Sequence, residues 1–320
     1  DWHLMHLGQF AVSGVGLILV EATGVSPEAR ISPGCLGLWS DENQEALARV
    51  VGFCRDYGNA TMGIQLAHAG RKASTDLPWY GGAPIPAADP RGWQTVAPSA
   101  AAYNEAFETP TALDDDGLAK IVDDFVAAAR RADEIGFDVV EVHMAHGYLM
   151  HQFLSPLSNQ RNDAYGGALE GRMRFPLEVF AAVRAVWPKT KALGVRISAT
   201  DWVEGSSWTV EEASRFTAAL YAAGADFIDV SSGGNSPAQQ IEAGPGYQTG
   251  FAATIRREVG IPTIAVGQIT EPRQAEAILR SGQADMVALA RGMLFNPRWA
   301  WHAAEALDAE ATFAPQYMRS

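Results

Sequence analysis

Residues 137–148 read FDVVEVHMAHGY and join a short apolar run to a group of polar side chains. The valines stand at consecutive or near-consecutive positions, which is expected when helices cover both faces of a strand. His143 and His146 are three residues apart, so they converge only if the strand ends near His143 and the chain then turns. Gly147 permits such a turn. The stretch therefore predicts a buried parallel strand that ends in a polar site.

Similar Val- and Ile-rich runs alternate with segments of helical period along the whole chain, the pattern of parallel strands joined by crossover helices. The predicted strands are 16–22, 61–67, 137–144, 193–199, 226–232, 262–268 and 285–290. The predicted helices are 2–13, 42–57, 115–135, 170–187, 209–223, 250–259, 271–281 and 297–309.

Eight helices and seven strands favour an α/β fold, a (β/α)8 TIM barrel whose first strand is apparently absent from this sequence. An open doubly wound sheet is the alternative, but the segment after the first visible strand, VEATGVSPEAR, has one Gly and no Gly-rich dinucleotide turn. We expect a single domain over residues 1–320. Its one long connection, at about 71–113, is rich in Pro, Gly and Trp and is predicted to form a lid.

Composition narrows the classes of partner. The formal net charge is −13 and no segment clusters Lys and Arg, so neither a nucleic acid nor an anionic membrane is expected as a partner. Only Cys35 and Cys54 occur, which gives no disulfide framework. No apolar run reaches the ~18 residues of a membrane span, and the N-terminus lacks a basic signal-peptide start. We expect a cytoplasmic protein that acts on a small molecule.

The histidine pair allows more than one interpretation. An isolated HxxH is most often a core histidine and a surface cap, and two imidazoles are also common zinc ligands. The HExxH arrangement is absent and no Cys or carboxylate stands at matching spacing, so we expect no metal. Two neutral imidazoles at a strand end suit hydrogen bonding to one carbonyl or nitro oxygen. Tyr148, two residues on, can supply a proton.

Residues 141–167, EVHMAHGYLMHQFLSPLSNQRNDAYGG, closely resemble the old yellow enzyme family, in particular its bacterial thermophilic-like or xenobiotic-reductase branch. The segments DWHLMHLG, VEATGVSPEARISPG, GIQLAHAGRKAS, VRISATDW, AVGQIT and PQYMR resemble the same branch in the same order. The resemblance runs essentially from end to end.

The resemblance implies FMN as the cofactor, lying across the barrel mouth. Ala22 would contact the flavin through its backbone, Gln65 would bond the pyrimidine edge and Arg196 would lie near N1 and O2. A structural ion pair, perhaps with Glu141, is the alternative role for Arg196. The phosphate would rest on the last two strand loops and the wall beside them, which contribute Gly267, Gln268, Ala290, Arg291, Ser232 and Gly233.

The same resemblance implies an ene-reductase. NADPH or NADH would reduce the flavin, and an α,β-unsaturated carbonyl or nitro compound would then be reduced while His143 and His146 hold its oxygen and Tyr148 protonates its α-carbon. A flavin-binding barrel with impaired or no turnover, owing to the missing strand, is the alternative. The C-terminal QYMR resembles a tail that reaches a neighbouring subunit, so Arg319 would contact substrate or cofactor in trans within a homodimer or homotetramer.

Overall fold

The computed structural model describes residues 1–205 and 207–319. Seven parallel strands form the central sheet, in the order β1-β2-β5-β6-β7-β8-β9, and two short strands, β3 and β4, pair separately. The strands are β1 (Leu17–Gly24), β2 (Thr61–Ala67), β3 (Val96–Ala97), β4 (Thr111–Ala112), β5 (Val139–Met144), β6 (Ala192–Ser198), β7 (Phe227–Ser231), β8 (Thr263–Ala265) and β9 (Met286–Val287).

Ten helices accompany the strands in the described ranges 1–205 and 207–319. They are α1 (Trp2–Ala11), α2 (Asp41–Tyr57), α3 (Asp115–Ile135), α4 (Leu149–Leu154), α5 (Leu169–Val186), α6 (Val210–Ala222), α7 (Thr249–Val259), α8 (Pro272–Arg280), α9 (Arg291–Phe295) and α10 (Trp299–Ala306). The eight predicted helices are all present, although α1 and α10 are shorter than predicted. The two that sequence missed, α4 and α9, are too short to show a helical period.

Side-chain caps begin three of the long helices. Ser40, Asp114 and Thr209 each accept a hydrogen bond from the backbone N–H three residues on, at the start of α2, α3 and α6. Gly136 ends α3 in the left-handed conformation, at φ +99°. These local signals explain why the helix starts were predicted to within a residue or two.

The prediction of seven parallel strands is confirmed, and every pairing in the main sheet is parallel. The last two strands are shorter than predicted, because β8 has three residues and β9 has two. Within the described part of the chain, β1 and β9 form the two edges of the sheet and do not pair with each other. Parallel pairing brings all the carboxyl ends to one edge, where a site is expected.

Apolar side chains of the central strands fill the core. Ile64, Leu66, Val140 and Val142 on β2 and β5 are all fully buried, as is Phe125 on α3. Burial on consecutive positions is what the valine-rich run predicted, since helices cover the outer face of the sheet while the inner face packs on itself. This packing fixes the strand ends that carry the polar residues.

The insertion at 71–113 contains the small β3–β4 ladder and is held against neighbouring loops. The Trp93 indole donates to the Glu28 carbonyl at 3.0 Å. Arg161 donates to the carbonyls of Pro98 and Leu113, at 3.0 and 2.6 Å. Trp79, near the tip of the insertion, is 72% exposed. The segment is therefore anchored at its base and open to solvent at its tip.

Both cysteines are unpaired, with Cys54 buried and Cys35 half-buried. Across the two described ranges, we find no helix with the length and apolar character that crossing a membrane requires.

Candidate active site

Polar side chains stand at two levels of the sheet, near its carboxyl edge. At the lower level Gln65 on β2 is in register with Glu141 on β5. At the upper level His143 on β5 is in register with Arg196 on β6, and Arg196 with Asp229 on β7. Alternate residues of a strand face the same side, so Glu141 and His143 share one face. The register thus collects five polar side chains on neighbouring strands.

The two histidines converge as predicted, because β5 ends at Met144 and the chain turns sharply. His146 itself takes a left-handed conformation at φ +59°, followed by Gly147 at φ +71°. The two imidazoles then meet, with His146 Nδ1 3.3 Å from His143 Nε2. The backbone N–H of His146 donates to Ser198 Oγ at 2.9 Å and fixes the turn against β6.

A chain of hydrogen bonds assigns the protons of both rings. The Ala145 N–H donates to His143 Nδ1 at 3.1 Å, so the single proton of a neutral His143 lies on Nε2. Nε2 then donates to His146 Nδ1, which places the proton of His146 on Nε2. That proton points at Ser231 Oγ, 2.7 Å away. Ser231 Oγ in turn donates to Gln248 Oε1 at 3.3 Å.

Both histidines are neutral at ordinary pH. Burial holds the pKa of His143 and of His146 well below the usual value, and the nearby Arg196 guanidinium lowers both further. A neutral ring carries one N–H, so each histidine can donate one hydrogen bond to a ligand.

Tyr148 follows the turn and stands at the N-terminal end of α4. Its ring lies edge-to-face against that of His143, with centroids 5.1 Å apart. Burial raises the pKa of Tyr148 to about 12, with a smaller contribution from Cys35. The phenol is therefore protonated throughout the physiological range and can act as an acid beside the histidine pair.

Lys72 ties the turn to its neighbours, and sequence reasoning did not single it out. Its ammonium donates to the carbonyls of His146 and Gly234 at 2.8 and 2.7 Å. It also lies 5.2 Å from the centre of the Tyr148 ring. Burial lowers the pKa of Lys72 to about 8, with Arg71 adding to the effect. Its position after the β2 strand end was the available signal.

The structure corrects the alternative given for Arg196. Its ion-pair partner is Asp229, with Nε 3.4 Å from Oδ2, and not Glu141. Glu141 accepts instead from the Gln65 amide at 2.6 Å. Asp229 was missed because it lies within the predicted strand 226–232 rather than at its end; the register with Arg196 identifies it.

The two buried carboxyls differ in ionisation. Burial and the neighbouring Asp229 raise the pKa of Glu141 to about 8. Burial also raises the pKa of Asp229, but Arg196 opposes that rise and favours its charged form. Glu141 Oε2, Asp229 Oδ1 and Arg196 Nε have no hydrogen-bond partner in the part of the chain that the structure describes. Such unpartnered polar atoms at a strand-end opening fit a polar ligand.

The remaining predicted cofactor residues lie at the ends of β1, β7, β8 and β9. Ala22 falls where the β1–β2 register shifts, which takes its backbone out of the regular ladder. Ser232 Oγ donates to Gln248 Oε1 at 2.5 Å, and Gln248 Nε2 donates to the Val266 carbonyl at 3.1 Å. This links the β7 loop to the loop after β8. Left-handed backbone occurs at Gly233, Gly267 and Gln268, whereas Ala290 and Arg291 are exposed at the start of α9.

A third histidine supports the turn from below. His151 on α4 is fully buried, and its Nδ1 accepts from the Gly147 N–H at 2.9 Å. Its Nε2 lies 3.1 Å from Asp201 Oδ1. His151 belongs to the recognised motif but was not assigned a role, because its helix was not predicted.

In the part of the chain that the structure describes, no hydrogen bond or ring contact joins the C-terminal tail to the histidine pair. The Tyr317 ring packs on Trp301 and lies 5.2 Å from the Arg298 guanidinium. Arg319 is exposed.

A parallel β/α sheet with an ordered polar site at the carboxyl ends of its strands is typical of β/α-barrel enzymes. The model of the NADH:flavin oxidoreductase / NADH oxidase family matches residues 1–310. An NADPH dehydrogenase of Geobacillus thermodenitrificans is 45% identical over 318 residues, covering 99% of this chain and 87% of that protein. The chain belongs to the NADH:flavin oxidoreductase / NADH oxidase family.

Solved structures agree with this assignment. Morphinone reductase is 30% identical with a TM-score of 0.78, covering 98% of this chain and 83% of that one. A 2-naphthoyl-CoA reductase complex has a TM-score of 0.85 at 23% identity; this chain spans 46% of its length, and the likeness shows the fold alone. The predicted resemblance to the old yellow enzyme family is confirmed. The protein is an oxidoreductase that uses flavin and NAD(P)H.

Glu141→Gln tests whether the buried Glu141 carboxyl is protonated in the folded protein. A carboxyl whose folded pKa is about 8, against an ordinary 4.5, binds more protons folded than unfolded between those two values. The free energy of unfolding therefore falls as pH rises from 4.5 to 8. Gln keeps the acceptor for Gln65 and does not titrate. Between pH 5 and pH 8 the free energy of unfolding of the variant should therefore fall by about 2 to 4 kcal/mol less than that of the wild type.

Urea unfolding at several pH values measures this difference. Glu211→Gln, an exposed position on α6, is the matched control and should follow the wild-type pH profile. A parallel profile for Glu141→Gln and wild type would show that Glu141 is ionised in the folded protein.

Proposed function

We propose that the protein is an FMN-dependent ene-reductase, which takes hydride from NADPH or NADH and reduces the activated C=C bond of α,β-unsaturated carbonyl or nitro compounds. The observation that carries the proposal is the histidine pair, whose facing nitrogens are 3.3 Å apart beside a protonated tyrosine. Two nitrogens at that separation can both reach one oxygen at ordinary hydrogen-bond distance.

The residues at the strand ends fit a flavin. Gln65 offers an amide and Arg196 a partly exposed guanidinium on the same face, and the register shift at Ala22 leaves backbone groups outside the ladder. A fixed positive charge suits a cofactor that gains negative charge on reduction. We propose that these three residues hold the ring system, and that the ribityl phosphate lies against Ser232, Gly233, Gly267, Gln268, Ala290 and Arg291.

When bound, a flavin held by these residues would supply the hydride chemistry that links the nicotinamide to the β-carbon of the substrate. The protein polarises the substrate through its oxygen. His143 Nε2–H is already a donor. His146 donates from Nδ1 once its proton moves there from Nε2, and the Ser231 hydroxyl, 2.7 Å from Nε2, can pair with either form of the ring. Donors on the substrate oxygen draw electrons from the β-carbon and stabilise the developing enolate.

Tyr148 completes the reaction by protonating the α-carbon. The raised pKa keeps the phenol protonated, and the edge contact with His143 places the ring next to the two histidines that would hold the substrate oxygen. A donor positioned in this way typically contributes 10²- to 10⁴-fold to rate.

The larger architecture follows the same proposal. The two unpaired edges of the sheet, at β1 and β9, are those that one further parallel strand would join in a closed (β/α)8 barrel. We propose such a barrel as a single domain, with the 71–113 insertion over its mouth. The insertion is anchored at its base, as a lid requires.

We also propose a symmetric homo-oligomer in which Arg319 reaches the site of a neighbouring subunit. The tail is held by the Trp301 and Arg298 contacts of Tyr317, and Arg319 beyond them is exposed, so its guanidinium is available to a second copy. A two-fold interface would give each subunit the other's arginine.

A visible spectrum with an anaerobic NADPH titration tests the function as a whole. The purified protein should be yellow, NADPH should bleach it, and 2-cyclohexenone should restore the colour under anaerobic conditions. A colourless preparation that takes up no FMN contradicts the proposal. Bound flavin that NADPH cannot bleach supports the alternative, a flavin-binding barrel without turnover.

Tyr148→Phe separates the two halves of the reaction. Removing the acid should slow reoxidation of the reduced enzyme by 2-cyclohexenone about 10²-fold and leave reduction by NADPH nearly unchanged. Stopped-flow absorbance measures each half. Tyr165→Phe, whose hydroxyl bonds Glu178 away from the site, is the control. Equal slowing of both halves by Tyr148→Phe would refute the assignment.

Arg319→Ala tests the contribution of the tail. The variant should raise KM for the enone about 10- to 100-fold, the worth of one hydrogen bond to a charged group, without changing the mass measured by light scattering. Arg257→Ala, an exposed arginine on α7, is the control. An unchanged KM would place Arg319 outside the site.

A further inference from the structure

The floor of the site is formed by Gln65, Glu141, Arg196 and Asp229. Within these described residues, Arg196 and Asp229 form the one ion pair. Arg196 Nε lies 3.4 Å from Asp229 Oδ2, and the two residues are register partners on β6 and β7. The Arg196 side chain keeps 23% of its surface exposed, whereas the Asp229 side chain keeps 1%. The arginine therefore faces the opening, and the aspartate lies behind it.

Asp229 and Glu141 are both buried carboxyls on this floor, yet their partners differ. Asp229 contacts a guanidinium, and an anion beside a cation is stabilised when buried. The hydrogen-bond partner of Glu141 among the described residues is a neutral amide, that of Gln65, at 2.6 Å. Two carboxyls so placed do not both ionise, and the one without a cation keeps the proton. The guanidinium therefore favours the charged form of Asp229, and Glu141 is the carboxyl that keeps the proton.

We propose that Asp229 is a positioning residue that holds Arg196 toward the flavin and, by partly neutralising it, lowers the reduction potential of the bound cofactor. This inference rests on the proposed placement of Arg196 beside the flavin. It assigns to Asp229 a role in tuning the cofactor without contact to it.

The sign of the effect follows from charge alone. Reduction by two electrons and one proton leaves the cofactor more negative than before, so a nearby positive charge favours the reduced form and a negative charge disfavours it. Arg196 therefore raises the reduction potential, and the negative charge of Asp229 partly offsets this increase. Inside a protein, where the effective dielectric constant is about 20, one unit charge several ångströms away is worth a factor of about ten or more.

The two carboxyls supply a matched pair of variants. In a Glu141→Gln background, where the second carboxyl cannot ionise in its place, Asp229→Asn removes a charge while keeping the shape, and at pH 7 it should increase the ratio of reduced to oxidised flavin at a fixed potential about ten-fold, which is about 30 mV for a two-electron couple. Glu141→Gln makes the same chemical change to a group that is already neutral, so it should leave that ratio within about two-fold of wild type. Equilibration with a redox dye of known potential measures both.

Arg196→Met separates this inference from the proposed function. Loss of the guanidinium should move the potential in the negative direction if the arginine lies beside the flavin. No change in Arg196→Met would overturn the placement of the cofactor, and the inference with it. A negative shift in Arg196→Met with no positive shift in Asp229→Asn overturns the role of Asp229 alone.

A second substitution guards against a variant that fails to bind FMN. Asp229→Ser also removes the charge, with a smaller polar side chain, and should shift the potential in the same positive direction as Asp229→Asn. Equal positive shifts in Asp229→Asn and Glu141→Gln would contradict the inference, because they would show a general response to disturbing the floor rather than to one charge.

Discussion

Charge buried inside an apolar sheet is the constraint on which this site depends. An unpaired guanidinium or carboxylate costs several kcal/mol when removed from water, so each needs a partner in its own register or must be neutral. Parallel pairing supplies the partner for Arg196, because it aligns Asp229 on the next strand. Glu141 is bonded to the neutral Gln65 amide, and its raised pKa keeps it protonated. The arrangement of the floor follows from these two solutions.

The same constraint shapes the turn above the floor. The backbone leaves β5 and turns through left-handed conformations, which leaves carbonyl groups outside regular secondary structure. Lys72 donates to the carbonyl of His146 in this turn and to that of Gly234 in the neighbouring loop. His151 accepts from the backbone N–H of Gly147. A half-buried ammonium and a buried imidazole thereby satisfy backbone groups that regular structure cannot. The histidine pair is held in place by its surroundings more than by its own strand.

The sequence predicted the parallel sheet, the long helices and the convergence of His143, His146 and Tyr148, because these depend on local apolar period, caps and a strand end. It did not predict what depends on register between distant segments. Asp229 lies inside an apolar run and only pairing of β6 with β7 reveals its role. Lys72 lies 74 residues from the carbonyl it holds. The cofactor contacts came from resemblance and stay a prediction at Ala22, Arg291 and the residues between.

Two glycines that meet across the site limit how this enzyme can vary. A side chain at Gly147 would begin 2.2 Å from the carbonyl oxygen of Gly234, and one at Gly234 would begin 2.5 Å from the His146 backbone. Both positions also hold left-handed backbone. Each loop is thus closed to substitution for as long as the other keeps its path, and a change in one is tolerated only with a compensating change in the other. Divergence in substrate range, natural or selected in the laboratory, is therefore directed away from this contact and toward the exposed insertion.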